Sequence, residues 1–168
     1  MEQIKAPKNV LAQFNPTDKP RFLFLAGSIE MGAAEEWQDR VARELKDSIW
    51  TILNPRRDDW DSSWVQSIDN EKFMERNNNV EQVVWELEGL ERAQGIMIYF
   101  DPNTKSPITL LELGLVSNLL GTERLKEIVV VCPEGFWRKG NVDIICQRYG
   151  LKQFNSLTDA ITYFRSNF

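Results

Sequence analysis

The 168-residue chain contains no histidine, and that absence removes more chemistry than any other feature of its composition. Without an imidazole there is no Ser-His-Asp or Cys-His nucleophile pair, no HExxH zinc site and no histidine general base. Any catalysis has to be carried by carboxylates, helped by tyrosine, lysine or backbone dipoles. Cysteine is nearly as scarce. Cys132 and Cys146 sit in the apolar contexts VVVCP and DIICQ, too few for a disulfide framework, and read as reduced core thiols. Basic runs are missing too: a formal net charge of −5 without clustered lysine or arginine argues against a nucleic-acid partner, whose phosphates demand a positive surface. No apolar run approaches the roughly 20 residues that span a bilayer, and the opening MEQIKAPKNV lacks the apolar core of a secretory signal. The expectation is a cytoplasmic protein with no membrane partner. Glycine-rich phosphate loops are also absent. AGSIEMG is neither GxGxxG nor a Walker loop, so no dinucleotide or nucleoside triphosphate is indicated.

What is present is a composition of 42% hydrophobic and 27% charged residues, which suits one globular domain with a real core. Pro7, Pro16 and Pro20 mark residues 1–20 as an extended arm, leaving 21–168 as the domain. Within it, RFLFLAGSI, IWTILNP, GIMIYFD and EIVVVCP read as buried strands, and LKQFN as a weaker fifth. Ala34, Trp37, Val41 and Leu45 recur at helical spacing over 33–47, and Val80, Val83, Val84, Leu87 and Leu90 do so up to about Ala93. Ser106 can cap a further helix with Pro107 at its first position, ending near Gly121. Another begins near Asn141, and LTDAITYFRSNF closes the chain. Apolar strands alternating with helices imply a parallel sheet covered on both faces. The expected fold is α/β: a flavodoxin-like, doubly wound sheet of five parallel strands in the order 2-1-3-4-5, within a three-layer α/β/α sandwich. Function in such folds collects beyond the carboxyl ends of the strands, which selects AGSIE, NPRRDDW, DPNTKS and PEGFWRKGN.

One acid stands out. Glu112 lies in SPITLLELGL, and its helical neighbours Ile108, Thr109, Leu115 and Val116 predict a mostly buried helix. A buried carboxylate must be paired, hydrogen-bonded or shifted in pKa, a cost usually met at working sites. The alternative is a glutamate that reaches solvent or pairs with an arginine. Glu86, Glu88 and Glu91 form a second acidic group on the preceding helix, either a solvated face or the source of a partner for Glu112. The loop holding Arg56, Arg57, Asp58, Asp59, Trp60, Asp61 and Trp64 mixes aromatic and hydrogen-bonding groups. It suits recognition of a planar heterocycle, or is simply pinned to its own domain by tryptophans.

FLAGSIE, NPRRDDW, WELEGLERA, YFDPNTKSPITLLELG and EGFWRKGNVDI, in that order and each at an expected strand end or helix, resemble the nucleoside 2-deoxyribosyltransferase family over about residues 21–150. The resemblance implies base exchange on 2′-deoxynucleosides with free nucleobases, by ping-pong kinetics, without metal or cofactor, in a homo-oligomer whose sites are shared between subunits. It assigns Glu112 of LLELG as the nucleophile and Glu86 as the upstream carboxylate that organises the site, a glutamate where the family has aspartate. Asn141 matches the asparagine lent by a neighbouring subunit, and Gly27, Ser28 and Ile29 match the first substrate loop. Arg57, Asp58, Asp59, Trp60, Asp101 and Asn103, in the loops after the second and third strands, are the other expected substrate contacts. Ser106 stands where several members have an aspartate, leaving Asp58, Asp59, Asp101 and Glu86 as candidates to protonate the departing base. Glu30 replaces the basic loop of the related nucleotide hydrolases, which favours unphosphorylated nucleosides. The rival readings are an N-glycosidase that uses water as acceptor and a nucleotide-sensing module without turnover.

Overall fold

The computed structural model describes residues 3–8, 21–29, 36–61, 63–65, 67–70, 81–118 and 126–168. Its elements in chain order are β1 (Ile4–Lys5), β2 (Arg21–Gly27), α1 (Trp37–Glu44), β3 (Trp50–Asn54), α2 (Gln82–Arg92), β4 (Gly95–Tyr99), α3 (Pro107–Ser117), β5 (Glu127–Val131), α4 (Lys139–Tyr149), β6 (Lys152–Phe154) and α5 (Leu157–Asn167). All strands pair in parallel, in the order β1-β3-β2-β4-β5-β6. The count is therefore six rather than five, and the order of the whole sheet differs from the expected one. Ile4 and Lys5, in the stretch read as an arm, pair with Leu53 and Asn54 of β3 and extend the edge. The five strands anticipated from the sequence keep their relative order inside that larger sheet.

The strands alternate their side chains between two cores. Phe22, Phe24, Ala26, Ile96, Ile98, Ile128 and Val130 face Trp85 and Leu90 of α2, Leu113 and Val116 of α3, and Val142 and Cys146 of α4. Leu23, Leu25, Trp50, Ile52, Met97 and Val129 face Trp37 and Val41 of α1, and Leu157, Ile161 and Phe164 of α5. This period of two, buried on both sides, is why the strands read as unbroken apolar runs. Each fully buried Trp, Phe or Leu contributes roughly 1.5–3 kcal/mol, enough collectively to order the chain. Both cysteines lie in the first core, where burial pushes Cys132 up to about 11 and Cys146 to about 12.

Two helices turn out to be rotated from their sequence reading. In α2 the inward residues are Trp85, Gly89 and Leu90, whereas Val83 and Leu87 face solvent; Val80 lies outside the described residues. In α3 the buried line is Thr109, Glu112, Leu113 and Val116, while Ile108, Leu111 and Leu115 are exposed, so that helix is not mostly buried. The apolar pattern could not fix the phase of either helix because both carry apolar residues on both sides. The C-terminus of α2 is finished by Lys126, whose ammonium donates to the carbonyls of Leu90 and Glu91 at 2.5 and 2.6 Å. Those carbonyls have no partner within the helix, and a cation there also opposes the helix dipole.

Candidate functional site

Strand order reverses between β2 and β4, so the loops leaving their carboxyl ends flank the crevice where such sheets bind ligands. The two loops are joined through one hydroxyl. Ser28 accepts from the Asp101 amide at 2.9 Å and from the Thr104 hydroxyl at 3.0 Å, and also shares a hydrogen bond with the Ser106 hydroxyl. The Ser28 amide donates to the Tyr99 carbonyl, and the Ser28 carbonyl accepts from the Trp37 indole at 3.0 Å. Ser106 does occupy the N-cap position of α3, with Pro107 following, but its side chain makes no capping bond. It is held at φ 47°, ψ 54°, and its hydroxyl turns instead to Ser28 and Thr104. Left-handed backbone costs a residue other than glycine roughly 1–2 kcal/mol, which this cluster offsets. Ser28→Ala should lower stability by about 1–3 kcal/mol, because the buried Asp101 amide and Thr104 hydroxyl both lose an acceptor and the Ser106 hydroxyl loses a partner. Urea unfolding measures it, and an unchanged midpoint would show that the cluster does not join the loops.

Behind these loops, α2 and α3 both pack on β2. Their N-termini lie at the carboxyl edge of the sheet, and Glu86 is the fifth residue of α2, Glu112 the sixth of α3. Glu112 is buried and Glu86 half-buried, and both carboxyls are largely withdrawn from water. Burial raises Glu86 to about 7, opposed by a hydrogen bond from the Gln82 amide. Burial raises Glu112 further, to about 8, and the neighbouring charge of Glu86 adds to it. Among the described residues no cation pairs with either acid. A solvated glutamate therefore does not describe Glu112, which is 8% exposed, and no arginine among the described residues pairs with it. Two carboxyls close enough for one charge to raise the other, with no countercharge among the described residues, share protons near neutral pH.

Gln82 went unnoticed in the sequence although it lies one turn before Glu86. Its amide also donates to the Pro55 carbonyl at 2.9 Å, tying the start of α2 to the end of β3 and orienting Glu86. Thr104 was missed as well, since its role depends on a fold in the loop that residue spacing does not reveal. Gly27 is the last residue of β2, at φ 152°, where a Cβ would lie 2.5 Å from the Tyr99 carbonyl oxygen. Ile29 is half-buried beside it.

The other expected contacts divide. Asp101 is buried at the crevice, and its carboxylate accepts from the amide and side chain of Asn103, so these two residues engage each other. Arg57 is buried and held by Asp59 through two bonds of 2.8 Å and by Glu81 at 3.2 Å, with its guanidinium 5.1 Å from the Trp64 ring centre. Asp58 is exposed and paired with Lys5. Trp60 leans on Trp64 with ring centres 5.4 Å apart. The loop is thus pinned by its own arginine and tryptophan contacts. Asn141 lies exposed on the first turn of α4, and Glu30 falls outside the described residues.

A model of the family described as nucleoside 2-deoxyribosyltransferase like matches residues 21–136, more than half of the chain. The chain is similar in fold to a conserved protein from Enterococcus faecalis V583 known from its crystal structure. At 10% identity the two superpose with a TM-score of 0.57, over 88% of this chain and 99% of that one. No protein with a curated description matches. Among the described residues there is no group of acids and cysteines fit to hold a metal ion, and no helix long and apolar enough to cross a membrane.

Proposed function

The chain belongs to the nucleoside 2-deoxyribosyltransferase-like family, and on that premise we propose that it exchanges the base of 2′-deoxynucleosides through a deoxyribosyl ester on Glu112. The observation that carries the reading is the pair of carboxyls largely withdrawn from water at the switch point, with no cation paired to either among the described residues. Cleaving an N-glycosidic bond builds positive charge at C1′ of the sugar, and a carboxylate beside it both stabilises that charge and can trap it. A Glu112 oxygen bonds to C1′ as the C1′–N bond breaks, and the bonding pair leaves with the base. The base needs a proton as it departs. Of the four candidate acids, Asp58 and Asp59 are exposed and engaged by cations, and Asp101 accepts from Asn103. Glu86 is half-buried and its carboxyl is raised to about 7, so it can take the proton of the pair and give it to the base. A second base then runs the steps in reverse, returning the proton to Glu86 and freeing Glu112.

The working state carries one proton on the pair; Glu112 holds that proton more tightly than Glu86, so the reactive form is the tautomer in which the proton has passed to Glu86 and Glu112 is ionised. Below about pH 7 both acids hold protons and the nucleophile is lost; above about pH 8 both are bare and the acid is lost. A bell-shaped profile of kcat/KM with its maximum in that interval is expected. The assay incubates a deoxynucleoside with and without a second base. Exchange that requires the acceptor supports transfer, release of base into water alone identifies hydrolysis, and tight binding with neither would sink both readings.

A further inference from the structure

The side-chain amide of Gln82, a residue only 5% exposed, is half used. Its Nε2 carries two hydrogens and both are taken, one by the Pro55 carbonyl at 2.9 Å and one by Oε1 of Glu86 at 2.5 Å. Its Oε1 is buried and has no hydrogen-bond partner. Turning the amide over does not cure this, since the Pro55 carbonyl only accepts and would then face the Gln82 oxygen. A buried acceptor left unpaired costs about 1–3 kcal/mol, so an oxygen held this firmly calls for a donor that no described residue supplies. Gln82 opens α2 at the carboxyl edge of the sheet, and Glu86, the acid proposed to protonate the departing base, lies one turn further on. The same amide therefore touches the acid and presents its unpaired oxygen beside it. It also decides which oxygen of Glu86 is free. Oε1 accepts from Gln82, so the proton of the reactive form rides on Oε2. The result is two fixed groups side by side, an O–H donor on Glu86 and an acceptor on Gln82.

We propose that Gln82 selects the base, an inference that rests on the transfer reading: it favours heterocycles in which an exocyclic amino group stands next to the ring nitrogen that Glu86 protonates. The ring nitrogen accepts from Glu86, and the amino group donates to Oε1 of Gln82. Adenine has such an edge, with an acceptor at N7 and a donor at N6, and cytosine has one at N3 and N4. A 6-oxopurine instead presents two acceptors, N7 and O6, and its carbonyl meets the Gln82 oxygen with no hydrogen between them. Gln82 cannot rotate to suit the oxo group without giving up both Pro55 and Glu86. Discrimination against the oxo base is therefore large, because a site built to accept a hydrogen bond is left with opposed lone pairs.

Equilibrium dialysis of free bases against the full chain reads this preference without a deoxynucleoside, and so without turnover. Adenine should bind at least about tenfold more tightly than hypoxanthine, which carries an oxo group in place of the amino group, with unsubstituted purine between them. Gln82→Met should bring the ratio of adenine to hypoxanthine affinity below about threefold. General loosening of α2 would not move that ratio, because it weakens both bases alike. Where the variant fails to fold, the order adenine, purine, hypoxanthine in the wild type gives the result. Hypoxanthine bound as tightly as adenine, neither base bound, or a ratio untouched in Gln82→Met would overturn the proposal. Base exchange is assayed separately. A preference without exchange keeps Gln82 as the reader of the base and sinks the transfer, and exchange without a preference does the opposite.

Discussion

Glu112→Gln should abolish base exchange, by roughly 10³-fold or more, and at pH 8 should melt at a higher temperature than the wild type. The two effects share one cause. A carboxylate kept out of water without a countercharge is reactive because it is poorly stabilised, and it is poorly stabilised at the expense of the fold. The direction with pH follows from the proton balance. Glu112 titrates at about 8 in the folded chain against an ordinary 4.5. Between these values the folded state binds more protons than the unfolded one, so stability falls as pH rises and levels off above about 8. Below about 4.5 both states are protonated and the penalty vanishes. Glutamine keeps the shape without the charge and also relieves Glu86 of a charged neighbour. A gain of about 1–3 kcal/mol at pH 8, fading toward pH 4.5, is therefore expected, and thermal melts across that range measure it. Normal exchange by the variant would remove Glu112 from the nucleophile role. Parallel melting curves for the two proteins would show that the carboxyl is solvated.

Gly89→Ala should destabilise the fold by about 2 kcal/mol or more. On helix propensity alone the substitution would gain roughly 1 kcal/mol, since glycine in a helix interior is unfavourable. Packing reverses the sign. A Cβ at this position would sit 2.3 and 2.4 Å from two ring carbons of Phe24, which is fully buried in β2 and lies against Trp85 at 5.9 Å. The ring has nowhere to turn, so α2 must lift from the sheet, and overpacking this close costs about 3 kcal/mol or more, which leaves a net loss of about 2 kcal/mol after the gain in propensity is subtracted. The melting temperature should drop by about 4–8 °C at this chain length. Because α2 carries Gln82 and Glu86, turnover of the surviving folded fraction should fall as well, while Glu112 is left in place. A variant as stable as the wild type would mean that α2 does not approach β2 so closely.

Much of this was legible in the residues. Strands buried on both faces announce themselves as short apolar runs, since neither side offers water a polar residue. The lack of histidine confined the chemistry to carboxylates, and Glu112 stood out because it alone broke an apolar run. Spacing could not choose among Glu86, Glu88 and Glu91, because the choice depends on the rotation of α2, and that rotation is set by Trp85 and Gly89 meeting Phe24 across the core. Nor could it foresee that Ser106 would give up its capping bond for Ser28, a residue 78 positions away. Arg57 and Asp59 looked free to meet a substrate until folding set them against each other.

The sequence by itself determined the kinds of element and the chemistry available, because periodicity and side-chain type are local properties. Only the tertiary structure decided which acids meet, which hydroxyls are spent on holding loops, and that Ile4 and Lys5 add a sixth strand. Those outcomes rest on contacts between distant residues, whose energies depend on burial and mutual distance, and neither quantity exists until the chain has folded.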